Sequence, residues 1–217
     1  MLFRSLLSDC IINGNSAMAG GGIFAYSTST EIVNSLIVNN SAETGGGLLA
    51  DSSPLIITNC TIAGNNADYP GGAVFVYGDE SLDVLNSIVW ANSPDQIHSE
   101  SKSGADGVLA VTVTYSDIQG GWSGPGNIDQ NPEFASGPAC DYNLSHISAG
   151  QPVDSPCIDT GEAPASTTCY QTFTGTRCLD TTSTRTDAVA DSGPADMGYH
   201  VASGGPTPTP GPTDTPT

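Results

Sequence analysis

The sequence predicts an all-β solenoid of about 25 residues per coil, and three observations carry that prediction. First, one phrase recurs. Asp9-Cys10-Ile11-Ile12-Asn13-Gly14-Asn15 is echoed from Asn34 to Asn40, from Asn59 to Asn65 and from Asn86 to Asn92, at steps of 25, 25 and 27 residues (34−9, 59−34, 86−59). Second, a glycine phrase keeps the same beat: Gly20-Gly21-Gly22-Ile23, Gly45-Gly46-Gly47-Leu48 and Pro70-Gly71-Gly72-Ala73. Third, apolar residues alternate with a period of two over short runs, the mark of strands rather than helices. A unit of this length cannot close a core alone, so its copies must stack.

The regular coils are expected over residues 5–98. Leu7, Ile32, Ile57 and Val84 form one inward column, and Ile12, Ile37, Ile62 and Val89 form a second. Equivalent strands pair in parallel, coil upon coil, at roughly 4.8 Å. In the glycine-led strand, Ile23/Ala25, Leu48/Ala50 and Ala73/Phe75 are expected inward, which stacks Asp51 between Tyr26 and Val76. The small column Cys10, Ser35, Cys60, Ser87 belongs beside a corner. Asp9, Asn34, Asn59 and Asn86 form one corner column; Asn15, Asn40, Asn65 and Asn92 form another. Asn tolerates left-handed backbone, and its amide can bond its neighbours above and below, so both columns are assigned to a structural ladder. The glycines serve positive φ or close chain approach.

Further along, Val108–Tyr115 is the strongest later strand, Trp122–Phe134 a long turn onto a further coil, and Tyr142–Leu144 and Cys157–Asp159 pieces of a distorted last coil. Thr160–Ala190 is a Thr/Ser-rich excursion, and Asp196–Val201 returns as a closing strand. Residues 1–203 are taken as one domain. Residues 204–217 alternate Pro and Thr, an extended linker that leads to an anchor or further domain.

Gly-Gly-Gly-Ile-Phe (residues 20–24) with Ile-Ala-Gly-Asn (62–65) resembles the repeats of polymorphic outer-membrane proteins. More widely, it resembles right-handed parallel β-helix proteins of the pectin-lyase-like superfamily. Asn86–Asn92, Tyr115–Gly121, Gly126–Phe134, Asp154–Gly161 and Asp196–His200 follow in the order of choice-of-anchor Q type surface proteins. The resemblance covers about residues 5–202 and implies a right-handed parallel β-helix. It does not fix an activity, since relatives include lyases, hydrolases, epimerases and proteins without known chemistry.

Composition narrows the partners. The 217 residues carry 23 acidic and 4 basic side chains, a formal charge of −19. This excludes nucleic acid as a partner, because phosphate neutralisation needs basic patches. It also disfavours anionic membrane surfaces. No run is long and apolar enough for membrane insertion. The opening Met1–Leu7 is too short for a signal peptide, and Leu7 already occupies a core column, so missing upstream coils and a missing secretion signal are expected. Cys10 and Cys60 stand two coils apart, about 10 Å, too far to bridge. Cys140, Cys157, Cys169 and Cys178 allow three pairings; Cys169–Cys178 and Cys140–Cys157 are expected, which places the chain outside the cytoplasm. Zinc is the alternative for these four, although no C-x-x-C spacing supports it.

Candidate chemistry is sparse. A lyase of this fold needs a basic residue beside a carboxylate-held calcium, and near the coils only Arg4 and Lys102 are basic. A hydrolase needs carboxylates paired over a cleft, and Asp51 is the only acid placed in a strand column. His98, His146 and His200 are isolated, His200 within a packing phrase. Calcium is a candidate cofactor at Asp129, Asn131 and Glu133, with further acids at Asp154, Asp159, Asp180, Asp187, Asp191 and Asp196. Outward apolar columns are expected at Leu36/Thr61/Ile88, at Val38/Ala63/Trp90 and at Phe24/Leu49/Val74. Each is either covered by the Thr160–Ala190 excursion or by sequence outside the chain, or it is a platform on which Trp90, Tyr26 or Tyr77 stacks on a sugar, with Asp51 beside it. The reading is a non-enzymatic extracellular or cell-surface module: glycan-binding, adhesin-like or a rigid spacer. A fragment of a carbohydrate-active enzyme, pectate-lyase-like or a glycoside hydrolase, is the alternative.

Overall fold

A computed structural model describes residues 4–103, 110–136, 140–172, 175–185 and 189–202. The 204–217 linker, Asp187 and the start of the Val108–Tyr115 run lie outside the described residues.

Four parallel sheets run along the solenoid. Sheet one stacks Arg4–Ser8, Ser29–Val33, Leu55–Thr58, Leu82–Leu85 and Val111–Thr114. Sheet two stacks Ile11–Asn13, Leu36–Val38, Thr61–Ala63, Ile88–Trp90 and Asp117–Ile118. Sheet three is short, with Ser16–Ala19, Ser41–Thr44 and Asn66–Ala67. Sheet four stacks Ile23–Tyr26, Leu48–Asp51, Val74–Tyr77 and Ile97–Glu100. Leu7 lies under Ile32, Ile32 under Ile57 and Ile57 under Val84, as their spacing requires. These columns fill a dry interior with Leu48, Leu55, Ile62 and Val89. Among the described residues no helix is long and apolar enough to cross a membrane.

The two asparagine columns do different work. Asp9, Asn34, Asn59 and Asn86 hold left-handed backbone, with φ of 55°, 45°, 52° and 48°. At the next corner that conformation belongs to Gly14, Asn39, Gly64 and Ala91, one residue before the second column. This frees Asn40, Asn65 and Asn92 to turn inward and build the amide ladder. Asn15 donates to Asn40 Oδ1 at 3.0 Å, Asn40 to Asn65 at 3.0 Å and Asn65 to Asn92 at 2.9 Å. Each acceptor Oδ1 also takes the backbone N–H of the preceding coil's asparagine, so a buried corner is left without orphaned donors. Beside the first corner Ser87 Oγ accepts from Cys60 N, and Ser116 Oγ from Ser87 N, which explains the small column.

One register departs from the sequence reading. Leu48 lies under Val74, and Ala50 under Val76, so Val74 and Val76 face inward while Phe75 faces out. Asp51 therefore stacks between Tyr26 and Tyr77, not Val76. Gly47 aligns with Ala73 rather than Gly72: the Gly47 N–H reaches Gly72 O and the Leu48 N–H reaches Ala73 O. The third coil takes up one of its two extra residues before the glycine phrase, which shifts that strand by one position and exchanges its faces.

Beyond Ile118 the winding breaks up. Phe134–Ala135 pairs antiparallel with Asn143–Leu144, Cys169–Thr172 with Gly175–Cys178, and Thr182–Ser183 with Val201–Ala202, the observed closing strand. This C-terminal part folds back over the coils. Phe134, Tyr142 and Tyr199 cover Leu36, Val38 and Ala63; Leu144, Cys157 and Met197 cover Ile88. Ala165, Tyr170 and Leu179, from the Thr-rich excursion, cover Val33 on sheet one. Polar anchors fix the register: Tyr199 N donates to Thr61 Oγ1 at 3.0 Å, His200 N to Asn34 Oδ1 at 2.7 Å, and Glu162 N to Asn86 Oδ1 at 2.9 Å. The first asparagine column thus docks the C-terminal part as well as turning the corner.

Candidate functional site

Among the described residues the outer face of sheet four joins none of these C-terminal clusters, and it carries two aromatic pairs, of which Phe24 and Tyr26 are exposed, Tyr77 is half-buried and Phe75, like Leu49, is buried. Two columns rise along it. One reads Tyr26, Asp51, Tyr77, Glu100; the other reads Phe24, Leu49, Phe75, His98. The coils therefore alternate: an aromatic pair, then Leu49 with Asp51, then a second aromatic pair, then His98 with Glu100. Phe24 and Tyr26 are 53% and 64% exposed, with ring centroids 6.3 Å apart. Phe75 and Tyr77 repeat the pairing at 6.1 Å, and His98 packs edge-on against Phe75 at 5.3 Å. Successive coils are about 4.8 Å apart, so the aromatic pairs recur about every 9.6 Å.

A lysine crosses this face. Lys102 forms an ion pair with Asp51, lies 2.6 Å from Ser52 Oγ, and sits over the Tyr77 ring at 4.8 Å from its centroid. The hydrogen bond to Asp51 holds the Lys102 ammonium above its ordinary pKa. The turn that presents it is held by Asp79, which accepts from the Ser101 hydroxyl at 2.5 Å and from the Ser103 hydroxyl, and these bonds keep its carboxyl below the usual range. Lys102 was legible in sequence only as one of few basic residues; its partner, 51 positions upstream, follows from the stacking.

A family model described as a right handed beta helix region matches residues 3–118 of this face-bearing solenoid. The chain belongs to the right-handed β-helix family. No curated protein and no solved structure matches it.

Within this β-helix the predicted site residues separate. Tyr26, Asp51 and Tyr77 come together on sheet four. Trp90 does not: it lies on sheet two, half-buried against the C-terminal part. Leu36, Val38, Ala63 and Ile88, expected outward beside it, are outward and buried there.

The residues of the expected calcium site are engaged by hydrogen bonds within the protein. Asp129 accepts from Gly120 N at 3.1 Å, while Asn131 and Glu133 bond each other at 3.0 Å. The acids the β-helix does gather are Asp159, Asp191 and Asp196, whose ligand atoms lie within 4.8 Å of one another. Protein donors already engage them: Asp159 N donates to Asp196, Asp196 N to Asp191, and His200 pairs with Asp191 at 3.2 Å. Burial, with Asp191 beside it, raises Asp196 to about 6.

Cys169 and Cys178 form the expected disulfide. Cys140 and Cys157 correct the other pairing, since both are free thiols. Cys140 bonds Asn143 at the Leu36 patch, and Cys157 donates to Asp117 Oδ2 at 3.2 Å. Burial pushes the Cys157 thiol well up and raises Asp117 to about 6. A recess of about 370 Å³ opens between Arg4, Glu31 and Tyr170. Its charges are paired and its Tyr170 hydroxyl is committed to Asp9, so it offers fewer open contacts than sheet four.

Proposed function

We propose that this chain is a non-enzymatic, extracellular or cell-surface β-helix module, of the pectin-lyase-like kind with a choice-of-anchor Q-like C-terminal part, that binds polysaccharide on sheet four. One observation carries the reading: Tyr26 and Tyr77 stand in file, two coils apart, on the outer face of sheet four, Tyr26 exposed and Tyr77 half-buried. Aromatic rings in file suit the apolar faces of successive pyranose rings, and a large exposed aromatic patch marks a binding surface. The Cys169–Cys178 disulfide supports an oxidising location. A solenoid also holds such a face rigid, so little ordering is required on binding.

The test is a glycan array, run with and without calcium, beside a polygalacturonate cleavage assay. Binding without turnover is expected. A Tyr26→Ala/Tyr77→Ala variant should bind about tenfold or more weakly, at ~0.5–1.5 kcal/mol per ring. Undiminished binding by that variant, or turnover of polygalacturonate, would overturn the reading.

A further inference from the structure

We infer that the sheet-four face takes a linear polysaccharide bearing positive charge, a β-1,4-linked amino sugar polymer, and that Lys102 is a built-in occupant of its ammonium subsite. The inference rests on the reading of sheet four as a polysaccharide face and names the ligand class.

Lys102 shows what the face accommodates. A primary ammonium sits there with a carboxylate (Asp51), a hydroxyl (Ser52, 2.6 Å) and a ring face (Tyr77, 4.8 Å) around it. Carboxylate, hydroxyl acceptor and π-face together are what a protonated amine seeks. The turn that tethers it is pinned through Asp79, outside the coils' ladders, and the Lys102 side chain is 36% exposed, so a ligand amine can displace it without disturbing the coils.

The same juxtaposition recurs. Asp51 lies one coil above Tyr26, and Glu100 one coil above Tyr77. Ring and carboxylate therefore each repeat every second coil, about 9.6 Å apart. An extended β-1,4-linked chain turns over at each residue, so amino groups on one side recur every second sugar, in step with the carboxylates. Charge points the same way. A chain at −19 with Asp51, Asp79 and Glu100 on or beside this face repels uronates and concentrates cations. A cationic peptide fits less well, because strands Leu48–Asp51 and Val74–Tyr77 are paired on both edges and offer no backbone to a further strand.

The experiment titrates the full chain with four probes at low and raised salt: glucosamine oligosaccharides, their N-acetylated neutral counterparts, oligogalacturonate and an oligolysine peptide. The glucosamine oligosaccharide should bind about tenfold more tightly than the neutral one at low salt, with the gap closing as salt rises. Lys102→Ala should tighten it several-fold, and Asp51→Asn should weaken it, with both variants melting as the parent does. Equal binding of the neutral oligosaccharide would overturn the charge inference while leaving the polysaccharide reading intact. Preference for oligogalacturonate, weaker binding in Lys102→Ala, or tightest binding of oligolysine would overturn it too. Binding of no saccharide at all would remove both.

Discussion

Two outer faces of one solenoid carry apolar residues and meet opposite fates. On sheet two, Leu36, Val38, Ala63 and Ile88 are at most 1% exposed because the C-terminal part lies over them. On sheet four, Phe24 and Tyr26 of the first coil remain open, while Leu49 and Phe75 in the coils above Phe24 are buried. The side chains differ accordingly. The covered face uses aliphatic residues, which interdigitate with Leu144 and Met197. The open face uses rings with carboxylates between them, a surface that packs poorly against protein but can meet a flat polar ligand.

Charge introduced on each face breaks the comparison most sharply. Ile88→Asp places a carboxylate in a dry contact and should cost about 4 kcal/mol or more, whereas Phe24→Asp should stay within about 0.5 kcal/mol. Thermal melting of the two variants checks this. Equal losses would show that sheet four is covered as well.

Next in size is the disulfide. Replacing Cys169 and Cys178 with serine removes a link closing a short loop, worth about 2–3 kcal/mol. Hydrogen exchange should quicken over residues 165–182 and leave the coils' amides unchanged. Loss of protection in Ile57 or Ile62 would mean that the C-terminal part and the coils unfold as one unit.

The smallest effect is the response to pH. Asp117, beside Cys157, is raised to about 6 by burial, and Asp196 likewise. An ordinary carboxyl titrates near 4, so between about 4 and 6 the folded state holds more protons than the unfolded one. Docking of the C-terminal part should therefore weaken as pH rises through that window. Asp117→Asn should flatten the slope of stability against pH; an unchanged slope would exclude Asp117 as a source of it.

Much of this was legible in the chain because a solenoid writes its contacts into its spacing. Ile12, Ile37, Ile62 and Val89 needed only the 25-residue beat, as did the left-handed Asn34 and Asn59. The third coil's sheet-four strand was misread because Pro70-Gly71-Gly72 carries no inward–outward alternation to mark a one-residue insertion, and a slip of one exchanges the faces. That hid the pairing of Asp51 with Tyr77 and exchanged Val74 for Phe75. Trp90 looked like a platform because the residues of its covering cluster, Leu144, Cys157 and Met197, lie 54, 67 and 107 positions further along the chain (144−90, 157−90, 197−90). Cys140 and Cys157 illustrate the same limit: outside the repeat, proximity in sequence says little about proximity in space.

The most direct test is an NMR titration of the chain with a saccharide that the array identifies, following side-chain resonances on both faces. The account predicts shifts at Tyr26, Tyr77, Phe24 and His98, with the Trp90 indole unmoved. Shifts centred on Trp90, or spread evenly over both faces, would contradict it.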